Sequence, residues 1–203
     1  MNFLAHAYLS FDHPKILVGN FIGDFVRGDL KAQFDKDIVI GIMLHREIDS
    51  YTDQHEVVKE AQEILKPYFS RYSVVITDVF FDYFLSRDWD QYHSKPIFKF
   101  AQEVYGLLDA HREILPSSFL HMYQFMKQEN WLVAYGTMDG MKKSFTGISK
   151  KTSFRSKLEE APRFLDAHRE TFFSYFQAFF PELINFSRAK LQEIQQNYDT
   201  LQT

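Results

Sequence analysis

A histidine and an aspartate lie four residues apart in the segment 41–53, which reads GIMLHREIDSYTD. At 3.6 residues per helical turn, His45 and Asp49 lie one above the other on the same face. Ile42 and Ile38 continue that face, so the polar pair points towards the interior. Buried polar groups of this kind need partners, which predicts a metal ion or a hydrogen-bond network. For this pair alone, a histidine bonded to a backbone carbonyl and an acid near the helix end is the simpler interpretation.

A second polar pair, Asp78 and Asp82, interrupts the apolar segment 73–85. The segment could begin as a strand, but its length and the i, i+4 spacing of the acids predict a buried helix. Two neighbouring carboxylates repel each other unless a cation lies between them or one is protonated. A structural alternative in which Asp82 pairs with Arg87 or caps a neighbouring helix has to account for both acids, and we therefore favour a functional role for the pair.

These polar residues belong to a larger set within the first 82 residues. A site made of histidines and carboxylates, without thiolate, suits Mn²⁺ or Mg²⁺. Such an ion lowers the pKa of a bound water and offsets charge on a phosphoryl oxygen. Arginines on the same helices are able to hold a phosphate by forked hydrogen bonds, although each has an acid nearby as an alternative partner. The candidate metal ligands are His6, Asp24, His45, Asp49, Asp78 and Asp82, and the candidate phosphate ligands are Arg27, Arg46 and Arg87.

The composition favours an all-α protein that forms a compact multi-helix bundle. The chain has 203 residues, 45% of them hydrophobic, and 8 Gly and 6 Pro interrupt it. No linker rich in Pro, Gly or Ser divides it, so we predict one domain over 1–203. The metal and catalytic core is expected at about 1–90, and the helices of 91–203 complete the core and the docking surface.

The same totals exclude several classes of protein. The chain contains no cysteine, which excludes disulfides, zinc-thiolate sites and thiol nucleophiles. Its N-terminus lacks the features of a signal peptide, and no apolar run reaches about 18 residues. The net charge of -4 is too modest to indicate a nucleic-acid partner. We therefore expect a soluble, cytoplasmic protein without nucleic-acid or membrane partners, and its oligomeric state stays open.

A basic stretch at 142–157 stands out from an otherwise acidic chain. Without it, 17 basic residues face 27 acidic ones, a net charge of -10. A concentrated positive patch on an acidic body suits the docking of an acidic partner. The alternative is an ordinary solvated surface loop. Its six cations, with no acid among them, are Lys142, Lys143, Lys150, Lys151, Arg155 and Lys157.

Local signals predict where several helices begin and end. Pro14 and Gly28 bracket the first long helix, and the helix with the focal segment runs from about Asp35 to about Thr52. Asp53 and Glu56 match a capping box that starts the next helix. At the C-terminus we predict two helices separated at Pro181.

Several motifs, in order along nearly the whole chain, resemble the bacterial acyl carrier protein phosphodiesterases. The C-terminal third supports the resemblance mainly through its length and helical character. The matching segments are NFLAH at 2–6, GN at 19–20 with GDFVRG at 23–28, HREID at 45–49 with TD at 52–53, DYFLSR at 82–87 with Trp89, and WLV at 131–133 with Tyr135 and Met138-Asp139.

The resemblance implies an all-helical, HD-domain-like fold in a divergent branch of the manganese-dependent HD phosphohydrolases. The implied reaction hydrolyses the phosphodiester of holo acyl carrier protein to apo acyl carrier protein and 4'-phosphopantetheine. In an ordinary HD motif the His and Asp are adjacent, whereas Arg46 follows His45, so the bridging carboxylate and the number of ions stay open. The implied catalytic and metal residues are Asp24, His45, Asp78 and Asp82, with His6 and Asp49 as weaker candidates and Lys142, Lys143, Lys150 and Lys151 as docking residues for the acidic carrier.

Two other functions remain compatible with the sequence. One is an HD-type phosphohydrolase that acts on a small phosphorylated metabolite or a nucleotide. The other is a non-catalytic helical interaction protein whose inward polar residues form a hydrogen-bonded network.

Overall fold

The protein, described from a computed structural model over residues 1–150 and 157–200, contains helices and no strand within those ranges. This confirms the all-α prediction. A 3₁₀ turn at Gly23–Phe25 follows the second helix. The α-helices are α1 Phe3–Tyr8, α2 Pro14–Ile22, α3 Leu30–Gln33, α4 Lys36–Gln54, α5 Glu56–Phe69, α6 Ser73–Arg87, α7 Ile97–Ala110, α8 Ser117–Gln128, α9 Trp131–Ala134, α10 Met138–Lys150, α11 Ala161–Ala167 and α12 Arg169–Thr200.

Helices α2 and α4 cross at unusually short range because a glycine of each lies at the crossing. A Cβ atom at Gly19 would lie 2.1 Å from the carbonyl oxygen of Ile38, and one at Gly41 would lie 2.1 Å from that of Ile16. Neither glycine has a positive φ, so the requirement is for space rather than for backbone freedom. The close crossing brings α2 against the N-terminal half of α4.

Helix α6 is the buried helix that the apolar segment predicts. Phe80, Phe81 and Phe84 are each 0% exposed, and α1, α5 and α12 all pack against it. Burial of such side chains contributes about 1.5 to 3 kcal/mol each. The i, i+4 spacing of the two acids therefore predicted a helix correctly, whereas the β-branched residues at the start of the segment would have suggested a strand.

The C-terminal region forms one long helix, so the predicted break at Pro181 is wrong. Proline removes one backbone hydrogen bond and normally kinks or ends a helix. Here the aromatic side chains Phe172, Phe176, Phe179 and Phe180 are all buried against the rest of the protein. Leu183 and Leu191, which follow the proline, are buried as well, so packing on both sides of Pro181 holds α12 together.

Two other boundaries differ from the predictions. Helix α2 ends at Ile22, and the 3₁₀ turn rather than α-helix carries Asp24. Helix α4 continues to Gln54, and α5 begins at Glu56 with His55 at the N-cap, so Asp53 does not cap it.

Among the described helices, none is both long and apolar enough to cross a membrane. That residues 1–203 form a single domain stays a prediction.

Candidate active site

A cavity of about 880 Å³ opens beside α1, the end of α2 and α6, and its other wall comes from α8, α9 and α10. Much of its lining is apolar, including Phe21, Val75, Val79, Met122 and Phe125. Polar side chains of the candidate set also line it, namely His6, Asp24, His45 and Asp78, and so does Asn20.

His45 lies beneath the 3₁₀ turn that follows α2. A Cβ atom at Gly23 would lie 2.3 Å from Cγ of the His45 ring, so the turn can pass over the imidazole because residue 23 has no side chain. The next residue, Asp24, places Oδ1 3.2 Å from Nε2 of His45. Asp24 is 73% exposed and His45 is nearly buried, so the carboxylate lies on the open side of the imidazole.

His6 reaches the same place from α1. The N-terminus of α1 is held by the buried carboxylate of Asp82, which accepts hydrogen bonds from the backbone N–H groups of Leu4 (2.9 Å) and Ala5 (3.2 Å). The rings of His6 and His45 stack with their centroids 4.1 Å apart and an angle of 20° between the planes. Two histidines that lie 39 positions apart in the sequence thus form one pair.

Asp49 joins the two imidazoles. Its Oδ1 lies 3.2 Å from Nε2 of His6, and its Oδ2 lies 3.2 Å from Nε2 of His45. Both Nε2 atoms are buried, yet neither has a hydrogen bond of acceptable geometry. His45 donates its Nδ1 proton to the backbone carbonyl of Asn20 at 2.7 Å, since a carbonyl oxygen only accepts.

The geometry of this group suits a divalent cation. One atom each from His6, His45 and Asp49 lie within 4.8 Å of one another, and they form the one metal-compatible group of three or more side chains found in the described residues. Ligands bound at about 2.1 Å to one ion lie about 3 to 3.4 Å apart, which matches the 3.2 Å separations here. Buried polar atoms are normally hydrogen-bonded. The two buried Nε2 atoms are not, so they are available as ligands for such an ion.

The charges of the group are strongly coupled. Burial and the neighbouring His45 lower the pKa of His6 to about 4. Burial also acts against a charged His45, but the carboxylates of Asp24 and Asp49 outweigh it and raise the pKa of His45 to about 9. Burial likewise opposes ionisation of Asp49, yet His45 and His6 hold its pKa well below the ordinary range. The site therefore stabilises positive charge between its carboxylates.

Asp78 and Asp82 lie apart from this group. Asp82 is 0% exposed, and burial raises its pKa to about 7 although its backbone hydrogen bonds act in the opposite direction. Asp78 lines the cavity, and its Oδ1 lies 3.3 Å from the amino group of Met1, which also contacts Asp49 at 3.3 Å. Burial raises the pKa of Asp78 as well. The structure therefore brings together His6, Asp24, His45 and Asp49 and places the α6 acids behind and beside them.

The three candidate arginines are absent from the cavity lining in the described part of the chain. Arg27 is exposed on the loop that follows the 3₁₀ turn. Arg46 donates from Nη2 to the carbonyl oxygen of Val26 at 3.2 Å. Arg87 donates two hydrogen bonds to Asp88, at 2.7 and 2.6 Å, and stacks on Phe173.

Part of the basic stretch does border the cavity. Lys142 and Lys143, both on α10, belong to its lining and are exposed. Lys151 and the side chain of Lys150 lie outside the described residues. The placement of the first two lysines supports a positive rim beside the histidine pair.

Asn20 is the site residue that the chemical search of the sequence missed. It is 0% exposed and contacts both histidines. An available signal was its position as a polar residue in the otherwise apolar run 16–22 of α2. Three aromatic residues of the cavity wall, His121, Trp131 and Tyr135, were likewise not assigned to the site.

Comparison with known proteins identifies the family of this chain. Curated relatives named "Acyl carrier protein phosphodiesterase" include one from Enterobacter sp. (strain 638), 32% identical over 185 residues, and one from Escherichia coli O139:H28, 34% identical over 187 residues. Each alignment covers 91% of this chain and 96% of the relative. No solved structure matches at a significant level. The family model described as acyl carrier protein phosphodiesterase matches residues 1–183, and the chain belongs to that family.

Proposed function

We propose that this protein hydrolyses holo acyl carrier protein to apo acyl carrier protein and 4'-phosphopantetheine with the help of a divalent cation. The relatives are named for this activity, and the alignments with them cover 96% of each relative. The structural observation that carries the proposal is the convergence of the Asp49 carboxylate with two Nε2 atoms that lack hydrogen bonds, on histidines that line the cavity.

The residues proposed to hold the cation are His6, His45 and Asp49, with Asp24 adding a carboxylate on the open side. Two imidazole ligands favour Mn²⁺ over Mg²⁺, because Mg²⁺ prefers an all-oxygen environment. When bound, the cation supplies charge stabilisation at the phosphoryl oxygens and makes water a stronger nucleophile at neutral pH. Asp82 has a positioning role in this proposal, since it holds the helix that carries His6.

The reaction needs no other co-reactant than water. Water adds to phosphorus, the bond between phosphorus and the serine oxygen of the carrier breaks, and one proton of the water ends on that serine oxygen. The phosphate stays with the pantetheine. The protein's own contribution is to hold the phosphodiester beside the histidine pair and to keep the reacting group in a partly apolar cavity.

The remaining walls suit the two parts of this substrate. The apolar side chains of Val79, Met122 and Phe125 offer contact to the uncharged pantetheine arm. Lys142 and Lys143 stand at the rim, where they attract the acidic surface of a carrier protein. The arginines are assigned no direct role in phosphate binding, because Arg46 and Arg87 already donate to other groups of the protein.

The test is incubation of the purified protein with holo acyl carrier protein and Mn²⁺, followed by mass spectrometry. We expect the carrier to fall to its apo mass and free 4'-phosphopantetheine to appear, and we expect excess chelator to abolish both changes. His45→Ala should be inactive, whereas His168→Ala, an exposed histidine outside the cavity, should retain full activity.

Two outcomes would contradict different parts of the proposal. An intact holo carrier after incubation with protein that binds Mn²⁺ would reject the substrate and leave the cation site in place. Hydrolysis that persists in excess chelator would reject the role of the cation.

A further inference from the structure

The buried residue Asn20 contacts both histidines of the site through different groups. Its side-chain Oδ1 lies 2.8 Å from Nδ1 of His6, and its backbone carbonyl oxygen lies 2.7 Å from Nδ1 of His45. Its Nδ2 donates to the carbonyl oxygen of His6 at 2.8 Å and to Oγ of Ser10 at 3.1 Å. All polar groups of the Asn20 side chain are therefore engaged.

The neighbours of Nδ2 fix the orientation of the Asn20 amide. The carbonyl oxygen of His6 accepts only, and the hydroxyl of Ser10 already donates to that same oxygen at 2.9 Å. A flipped amide would place its oxygen 2.8 Å from the His6 carbonyl oxygen, and these two acceptors would repel each other. The atom that faces Nδ1 of His6 is consequently an acceptor.

This acceptor determines which nitrogen of a neutral His6 carries the proton. With the proton on Nδ1, the ring donates to Oδ1 of Asn20 and Nε2 keeps its lone pair. With the proton on Nε2, two lone pairs would face each other at 2.8 Å, and the proton would point towards Asp49. A histidine binds a metal ion through an unprotonated nitrogen, and the hydrogen bond of its other nitrogen selects that form.

We propose that Asn20 is a positioning residue whose side chain keeps the His6 proton on Nδ1 and so leaves Nε2 free for a cation. The inference rests on the proposed cation site and adds the element that prepares it before any ion arrives. Asn20 reaches this position because Gly19 and Gly41 allow the close crossing of α2 and α4. The same crossing presents the Asn20 backbone carbonyl to His45, so one residue orients both rings.

The two contacts predict different responses to substitution. Asn20→Leu removes the acceptor for His6 while keeping a side chain of similar size, and the backbone carbonyl that serves His45 survives. In the variant, the His6 proton should move to Nε2, where Asp49 accepts it. Loss of such an orienting partner typically weakens metal binding 10-fold to 100-fold.

The experiment combines nitrogen NMR of the metal-free, histidine-labelled protein at pH 7 with Mn²⁺ titration by calorimetry. The His6 signals are assigned with the His6→Gln variant. In the wild-type protein we expect Nδ1 of His6 to be protonated and Nε2 to be unprotonated. Asn20→Leu should reverse this pattern and raise the Kd for Mn²⁺ about 10-fold to 100-fold.

Ser10→Ala is the matched control, because it removes a buried hydrogen-bond partner of Asn20 but not the contact between Oδ1 and His6. It should keep the wild-type His6 pattern and Mn²⁺ affinity even where it lowers thermal stability. A wild-type His6 protonated on Nε2 would overturn the proposal, and this result needs no variant to fold. An unchanged His6 pattern in Asn20→Leu would overturn it too. If the wild-type protein bound no Mn²⁺, the cation site would fail, while the NMR pattern would still decide the role of Asn20.

Discussion

The residue at position 23 offers a sharp test of whether the position of His45 matters for function. Gly23 has ordinary helical backbone angles, with φ -52° and ψ -39°, so replacement by alanine imposes no backbone strain of its own. The new Cβ would lie 2.3 Å from Cγ, 2.5 Å from Cδ2 and 2.6 Å from Cβ of His45. The effect of Gly23→Ala is therefore steric and is directed at one side chain.

The size of the effect follows from the overlap. Carbon atoms in contact prefer separations of about 3.5 to 4.0 Å, so the imidazole or the 3₁₀ turn has to retreat by at least about 1 Å. The turn carries Asp24, and the imidazole faces Asp49, so either movement opens the ligand group. A displacement of about 1 Å in a reacting site costs about 100-fold in rate. We expect kcat/KM for holo acyl carrier protein to fall by about that factor.

The assay measures initial rates by mass spectrometry together with the shift in Tm caused by Mn²⁺. Gly106→Ala is the matched control, because a Cβ placed there would meet no atom within 4 Å apart from its chain neighbours and the backbone of its own helix, α7. That variant should keep full activity and gain about 0.5 to 1 kcal/mol of stability from helix propensity. Gly23→Ala with parental rates and a parental Mn²⁺ shift would refute the reasoning that His45 needs its observed position.

Two further predictions concern the acid behind the site and the lysines at its rim. Because burial raises the pKa of Asp82 to about 7, from an ordinary 3.8, the folded protein binds this proton more tightly than the unfolded chain. The resulting stability is complete below about pH 4 and is lost as the pH rises through about 7, so this contribution to the free energy of unfolding should fall by about 2 to 3 kcal/mol from pH 5 to pH 8. Urea unfolding at both pH values should show this decrease in the parent and not in Asp82→Asn. An equal change in the free energy of unfolding in the two proteins would reject the prediction. The double charge reversal of Lys142 and Lys143 to Glu should lower kcat/KM for the carrier about 10-fold at low salt and less at high salt. The same reversal of Lys59 and Lys66, exposed on α5 away from the cavity, should leave the rate unchanged.

Sequence patterns predicted the class of fold and the interior location of the site. The spacing of His45 and Asp49 correctly placed both on one face of α4, and the acids in the segment 73–85 correctly indicated a buried helix. The break at Pro181 was predicted wrongly because local propensity does not include the packing of a long aromatic face. HD-domain similarity and the roles of the candidate catalytic residues stay predictions.

Within the candidate set, the sequence could not separate the residues that meet at the histidine pair from those that hold the surrounding helices. Asp82 matched the pattern of a functional acid as well as Asp49 did, since both are i, i+4 partners on buried helical faces. Their difference comes from the neighbours in space: Asp82 meets the N–H groups of Leu4 and Ala5, whereas Asp49 meets two imidazoles. Periodicity tells which way a side chain points and not what it meets there.

The sequence by itself determined the helical class, the absence of thiolate chemistry and the family. It did so because hydrophobic period, composition and ordered motifs are properties of the chain. Tertiary structure alone decided that His6 stacks on His45, that Asp49 joins them, and that Asn20 serves both rings. These contacts depend on the approach of α1, α2 and α4, and Gly19 and Gly41 permit the close crossing of α2 and α4. Such distances between helices are not encoded in any local pattern.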